Sequence, residues 1–370
     1  MSRIATIETL PLRISPKTEW IFLKVADEDG VTGIGEATLN AREAEVAAAV
    51  ARLAPRRAGS LAVPAPLDDP VPERLLPEAA AASALDQALW DLSARRAGRP
   101  VWQLLGLPRR RRVPLYANIN RRTVDRSPAG FSASTRVAAS TGCTRFKIAP
   151  FDDLTPALAD GEAGRVLIDA GIDRVAAVRE AAGPRARVMV DCHWRFTERA
   201  AEAAIERLSE LGVDWFECPL PETLEAIPAL HRLRLRAKEH GMQLAGLEMS
   251  TSPSALIPFL EGGCYDVVMP DIKYIGGFGG LLQAGALCAR HGVGCAPHNP
   301  TGPICHVASL HASAVLDDFD LLEHQYDESP LFDGLVKGGL PDHAGDASEL
   351  PQAPGLGVTL DAALSHTLRS

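Results

Sequence analysis

Three short apolar runs in this chain stop abruptly at a carboxylate: Val188-Met-Val-Asp191, Val213-Asp-Trp-Phe-Glu217 and Gln243-Leu-Ala-Gly-Leu-Glu248. The interval between them is about one strand plus one helix, the rhythm of repeated βα units. Consecutive parallel strands of a closed (β/α) barrel deliver their C-terminal residues to one rim, so the three acids would meet there. Carboxylates gathered so closely repel one another unless a cation lets them stay ionised together. The pattern thus constrains fold and chemistry at once, to a parallel barrel with a hard cation at its rim.

The rest of the chain follows the same rhythm. Apolar runs recur at Val113–Ala117, Thr144–Ala149, Val188–Val190, Val213–Phe216, Gln243–Leu247, Asp266–Met269, Gly294–Pro297 and Asp320–Leu322. Helix-like segments such as Glu198–Leu211, Leu224–Glu239 and Leu281–His291 separate them, which predicts a closed α/β barrel over residues 113–344. Before it, Ile4–Leu12, Trp20–Asp27 and Val31–Ala37 read as a three-strand meander turning at Glu28-Asp-Gly30. An alanine-rich helix pattern at Ala41–Leu53 and a strongly periodic one at Glu78–Gly98 complete an α+β capping domain, residues 1–112. The tail, 345–370, with Pro351-Gln-Ala-Pro-Gly-Leu-Gly357, is expected to pack back on that domain.

A net charge of −9 argues against nucleic acid, and the short basic run Arg109-Arg-Arg-Arg112 reads as a solvated turn. No apolar run reaches the ~18 residues of a membrane span and the N-terminus carries no signal pattern, so a cytoplasmic enzyme without a membrane partner is expected. The seven cysteines include no Cys-x-x-Cys pair and suit buried thiols in a reducing compartment. Cys192 and Cys218, each following a candidate ligand, are expected to point away from the rim.

Catalytic groups in such barrels sit at strand C-termini. The polar residues found there are Lys147, Asp191 with His193, Glu217, Glu248, Asp271, His298 and Glu323. Oxygen-only ligation by Asp191, Glu217 and Glu248 points to Mg²⁺, for which Mn²⁺ can substitute, rather than zinc. Neighbouring strand ends would bring Asp271 to His298, making an oriented imidazole base. His193, two residues beyond Asp191, falls on the same side of an extended segment and places a second imidazole across the site.

These features resemble the enolase superfamily, in its mandelate racemase-like branch of acid-sugar dehydratases. The resemblance runs over nearly the whole chain, most specifically at Ala84-Leu-Asp-Gln-Ala-Leu-Trp-Asp-Leu92, Pro100-Val-Trp-Gln-Leu-Leu-Gly106, Pro270-Asp271 with Gly276-Gly277, Ala296-Pro-His-Asn-Pro-Thr-Gly-Pro303 and Leu322-Glu323. It implies an enolase-type (β/α)7β TIM barrel with an N-terminal cap and one Mg²⁺ per subunit. It further implies a His298–Asp271 base dyad, Glu323 hydrogen-bonded to the enolate, and Asp191 and His193 as ligand and acid. Where racemases of the superfamily carry Lys-x-Lys, this chain has Lys147-Ile-Ala149. The missing second lysine favours one-base elimination over two-base racemisation, with Lys147 neutralising the substrate carboxylate. The implied reaction is C2 proton abstraction from a 2,3-dihydroxy carboxylate through a metal-stabilised enolate, then loss of the 3-hydroxyl to give a 2-keto-3-deoxy acid. Arg195, Trp194 and Lys273 stand beside these groups as candidate substrate-binding residues. A racemase or epimerase on the same scaffold, or a non-catalytic binder of metal and acid sugar, remain the alternatives. The partner is expected to be a small carboxylate, the assembly a homo-oligomer. Ser15–Glu19 and Leu39-Asn40 are expected to cover the rim.

Overall fold

The computed structural model describes residues 2–15, 18–64, 75–341, 345–361 and 363. Strands β1 (Ile4–Arg13), β2 (Glu19–Asp27) and β3 (Thr32–Glu36) form the expected antiparallel meander. Its second turn is pinned by Asp27, whose Oδ1 accepts from the amides of Asp29 and Val31, while Gly30 supplies the left-handed φ of 81°. Helix α1 (Glu43–Arg57) and the long α2 (Leu76–Arg96) cover the sheet, and a short α3 (Val101–Leu105) leads out. Gly33 and Gly35 let β3 lie directly on α2: a Cβ at either would come within 2.0 Å of the carbonyl of Ala88 or Ala84. The alanine-rich face of α2 and the glycines of β3 are therefore one packing device.

The eight barrel strands are β4 (Arg112–Asn118), β5 (Arg145–Ile148), β6 (Arg187–Asp191), β7 (Trp215–Glu217), β8 (Gln243–Gly246), β9 (Val267–Val268), β10 (Gly294–Cys295) and β11 (Leu322–Gln325). They pair in parallel in the order β10-β9-β8-β7-β6-β5-β4-β11. The ring closes between β10 and the approach to β11, through a parallel bridge from Cys295 to Phe319 and a 3.0 Å bond from the Asp320 amide to the Cys295 carbonyl. Helices α4 (Pro128–Ser140), α5 (Pro156–Ala159), α6 (Glu162–Ala182), α7 (Glu198–Glu210), α8 (Ile227–Glu239), α9 (Pro253–Glu261), α10 (Gly277–His291) and α11 (Pro303–Val315) form the outer ring. With α5 and α6 sharing one connection, the arrangement is (β/α)7β. Inside the barrel, Tyr116, Met189, Trp215, Ala245, Val267, Met269, Ala296 and Leu321 fill one buried cluster. It is a plug, and it forms the floor of the site.

After a single turn, α12 (Leu331–Gly334), the remaining strands among the described residues are β12 (Val336–Lys337), β13 (Ala347–Glu349) and β14 (Thr359–Leu360). β13 runs antiparallel to the first half of β4, so the tail joins the barrel as well as the cap. On the cap side the Trp102 indole donates to the Pro351 carbonyl (2.8 Å) and the Leu356 amide to Asp91 (2.7 Å).

Candidate active site

Strand alternation builds the site from the plug. Two residues beyond an inward plug residue comes a polar one: Asn118 after Tyr116, Asp191 after Met189, Glu217 after Trp215, Asp271 after Met269, His298 after Ala296 and Glu323 after Leu321. Lys147, near the end of β5, joins them with its ammonium 5.7 Å above the Tyr116 ring. The exception is Glu248, three residues beyond Ala245. Leu247, in the left-handed region at φ 73°, packs with the outer core and delays the acid by one position.

Lys147 is the electrostatic centre of one wall. Its Nζ lies 2.7 Å from Glu217 Oε1, 2.9 Å from Glu323 Oε1 and 3.9 Å from Asp191 Oδ2, and these charges hold it well above the ordinary lysine range despite burial. Glu323 also accepts from Asn118 Nδ2 (2.7 Å) and the Asn299 amide (2.9 Å). Opposite, His298 Nδ1 is 2.7 Å from Asp271 Oδ2 and its Nε2 is 3.3 Å from Glu248 Oε2. Asp271 Oδ2 also takes the Lys273 ammonium at 2.8 Å. Burial lowers the His298 pKa, outweighing the pull of Asp271, and keeps the imidazole neutral. His193 differs. Its Nε2 is 3.0 Å from Asp191 Oδ2, and that carboxylate raises its pKa against the cost of burial.

The donor set fits a hard divalent cation. Glu217 and Glu248 each bury an Oε2 atom that has no hydrogen-bond partner. Burial pushes the Glu217 carboxyl up to about 8 although Lys147 opposes it, and burial with the charges of Asp191 and Glu217 drives Glu248 well up. Such a pair ionises at neutral pH when positive charge is brought to it. Donor atoms of Glu217, Cys218 and Glu248 lie within 4.8 Å of one another. Asp191 stands outside that group, drawn towards His193. Cys218, expected to face away from the rim, is buried with its thiol 3.9 Å from Glu222 Oε1, although its sulfur still falls within 4.8 Å of an oxygen of Glu217 and of Glu248. Burial and the Glu222 charge keep its thiol protonated, so the available donors remain oxygens.

A cavity of about 280 Å³ lies over these groups, lined among others by Lys147, Asp191, His193, Trp194, Glu248, Lys273 and His298. Leu39 and Asn40 line it as expected, while Pro16 and Lys17 of the other expected cover lie outside the described residues. Arg195, read from the sequence as a substrate-binding candidate, is not among the lining residues, and its guanidinium donates to the Leu154 carbonyl at 3.2 Å. His193 and Trp194 both have positive φ (48° and 57°), so the chain curls after Asp191 and carries Arg195 off the rim. The cavity adds Thr38, Asn118, Asn120, Arg121, Met249 and Tyr274, which escaped the sequence pattern. Asn118 was within reach of it, since the first barrel strand runs one residue past Ala117.

The pattern of an enolase C-terminal domain matches residues 131–364, and that of the mandelate racemase/muconate lactonizing enzyme N-terminal domain matches residues 5–106. The chain belongs to the enolase superfamily. Within this superfamily it is 30% identical over 377 residues to a D-galactonate dehydratase of Xanthomonas euvesicatoria, covering 98% of this chain and 92% of that one. It is 29% identical over 357 residues to a D-gluconate dehydratase of Thermoproteus tenax, covering 95% and 70%. The crystal structure of a mandelate racemase/muconate lactonizing enzyme from Jannaschia sp. CCS1 superposes with a TM-score of 0.84 at 22% identity, over 100% of this chain and 98% of that one. Such a likeness establishes the superfamily fold. No described helix is long and apolar enough to cross a membrane.

Proposed function

We propose that this superfamily member is a Mg²⁺-dependent sugar-acid dehydratase, a hydro-lyase that converts a 2,3-dihydroxy carboxylate to a 2-keto-3-deoxy acid. The observation that carries the reading is the pair of imidazoles with opposed environments across one cavity. His298 is buried, its pKa lowered by that burial, and it is oriented through Nδ1 by Asp271; the Asp191 carboxylate instead raises the pKa of His193 and favours its protonated form. Two like groups whose surroundings push them apart take the roles of base and acid. The dehydratase names of the relatives agree with this chemistry.

Asp191, Glu217 and Glu248 would hold the cation, and the group would supply positive charge beside the substrate carboxylate, easing ionisation at C2. His298 Nε2 takes the C2 proton. Lys147 and Glu323, joined at 2.9 Å, face the carboxylate end, the ammonium offsetting charge that develops there. His193 gives its proton to the departing 3-hydroxyl, which leaves as water, and the enol product tautomerises to the keto acid. Ala149 lines the cavity where a second lysine would stand in Lys-x-Lys enzymes, leaving no ammonium there to return a proton to C2.

A ¹H NMR time course in D₂O, with Mg²⁺ and a panel of aldonic and aldaric acids, tests this directly. Keto acid formation is expected; α-deuteration without dehydration would make the protein a racemase, and silence over the whole panel would leave it a binder. His298→Asn is expected to abolish both dehydration and C2 exchange, a loss of roughly 10²-fold or more. His193→Asn should stop dehydration yet leave C2 exchange measurable. Exchange that survives in His298→Asn and vanishes in His193→Asn would reverse the assignment.

A further inference from the structure

Glu248 reaches the rim one residue out of step with the other strand-end groups, and something must hold it there. Leu247 pays the conformational cost at φ 73°. Its amide does not continue the ladder but donates to Glu222 Oε1 at 2.6 Å. The same oxygen accepts from the Tyr265 hydroxyl at 2.9 Å and, at 3.9 Å, from the Cys218 thiol. Cys218, also left-handed, directly follows Glu217. One carboxylate oxygen thus ties the residue after the first of these acids to the residue before the second. Gly246 makes room for it, because a Cβ there would come within 2.4 Å of Glu222 Oε1 and 2.7 Å of the Tyr265 ring.

We infer that Glu222 is a positioning residue for the cation site. From outside the barrel it fixes the irregular backbone that aims Glu217 and Glu248, without presenting an oxygen to the cation itself. The inference rests on the reading of Asp191, Glu217 and Glu248 as the cation's ligands. An accepting oxygen on a rigid anchor stabilises the left-handed turn at Leu247. Without it the segment relaxes towards ordinary strand geometry, which would turn Glu248 off the inner face, since one step of register reverses a side chain's direction. Groups that orient ligands in this way typically contribute 10–100-fold to metal affinity.

The test is Mn²⁺ binding to the full-length protein without substrate, read from the electron paramagnetic resonance signal of free Mn²⁺. Glu222→Ala is expected to weaken binding about 10–100-fold. Glu222→Gln keeps an accepting oxygen and should retain most of the affinity, which a loss of charge alone would not allow. Gly246→Ala, whose methyl group displaces the anchor, and Tyr265→Phe, which removes one donor, are expected to weaken binding in the same direction; both report on the anchor should Glu222→Ala fold poorly. Glu248→Gln separates the two levels of the reading. If it weakens Mn²⁺ binding while Glu222→Ala and Gly246→Ala do not, the anchoring role is overturned and the ligand set stands. If Glu248→Gln binds Mn²⁺ as the unaltered protein does, the ligand set falls and the anchor with it.

Discussion

Asp271 Oδ2 holds two partners at once, the Lys273 ammonium at 2.8 Å and the neutral His298 ring through Nδ1 at 2.7 Å. Burial would raise this carboxyl, yet Lys273 first and His298 second keep it low, so it stays an anion while its imidazole stays neutral. Lys273 is therefore the counterion that makes a buried aspartate tolerable beside a neutral base. Lys273→Met is expected to cost roughly 3–5 kcal/mol of stability, the toll of breaking a buried pair, read from the midpoint of urea unfolding. At this scale much of the site was legible in the sequence, because alternation and strand ends are local properties. Asp191, Glu217, Asp271, His298 and Glu323 all fall where a period of two puts them. Glu222 and Arg195 were not legible: the first acts through a left-handed turn at Leu247, the second follows two left-handed residues, and none of those left-handed positions is itself a glycine that would announce it.

Between elements, the cap and barrel are joined by buried acids at helix starts. Asp86 on α2 accepts from the Phe278 amide of α10 at 2.7 Å, and Glu36 at the end of β3 accepts from the amides of Gly302 (2.8 Å) and Cys305 (2.9 Å) at the start of α11. The residues at these helix starts, Gly276 and Gly302, have no side chain to cap with. Asp86→Ala is expected to cost about 0.5–2 kcal/mol, as loss of a cap does, seen as a lower melting temperature. Glu36→Ala should cost activity too, because the same carboxylate accepts from Thr301 Oγ1 at 2.7 Å, three residues beyond His298. Equal kcat/KM in that variant and the unaltered protein would show the loop to be held by other means. The elements were readable from periodicity, their boundaries shifting by a few residues. The caps were not, since the partners lie 192 and 266 positions away.

Over the whole molecule, His311 of α11 ties three parts together. Its Nδ1 accepts from the Trp102 amide (3.1 Å) and its Nε2 faces the Leu356 carbonyl (3.2 Å), which requires the neutral ring protonated on Nε2. Burial lowers its pKa from 6.5 to about 4. Between those values the unfolded chain binds the proton and the folded one does not, so stability is full above pH 6.5 and falls as the pH drops towards 4. The loss amounts to about 3 kcal/mol at most, at 1.36 kcal/mol per unit. His311→Asn should be less stable at neutral pH but show a flatter melting temperature between pH 6.5 and 4. An unchanged slope would mean that another group carries the acid sensitivity.

The reach of Glu36 across 266 positions also sets a schedule for biosynthesis. At about 5–20 residues per second, roughly 13–50 s separate the emergence of β3 from that of the amides that will satisfy its carboxylate. Until then the carboxylate has the Thr38 hydroxyl of its own domain (2.8 Å) but lacks the three donors at Thr301, Gly302 and Cys305. Completion of that hydrogen-bonding set is coupled to the arrival of the last barrel helix, α11.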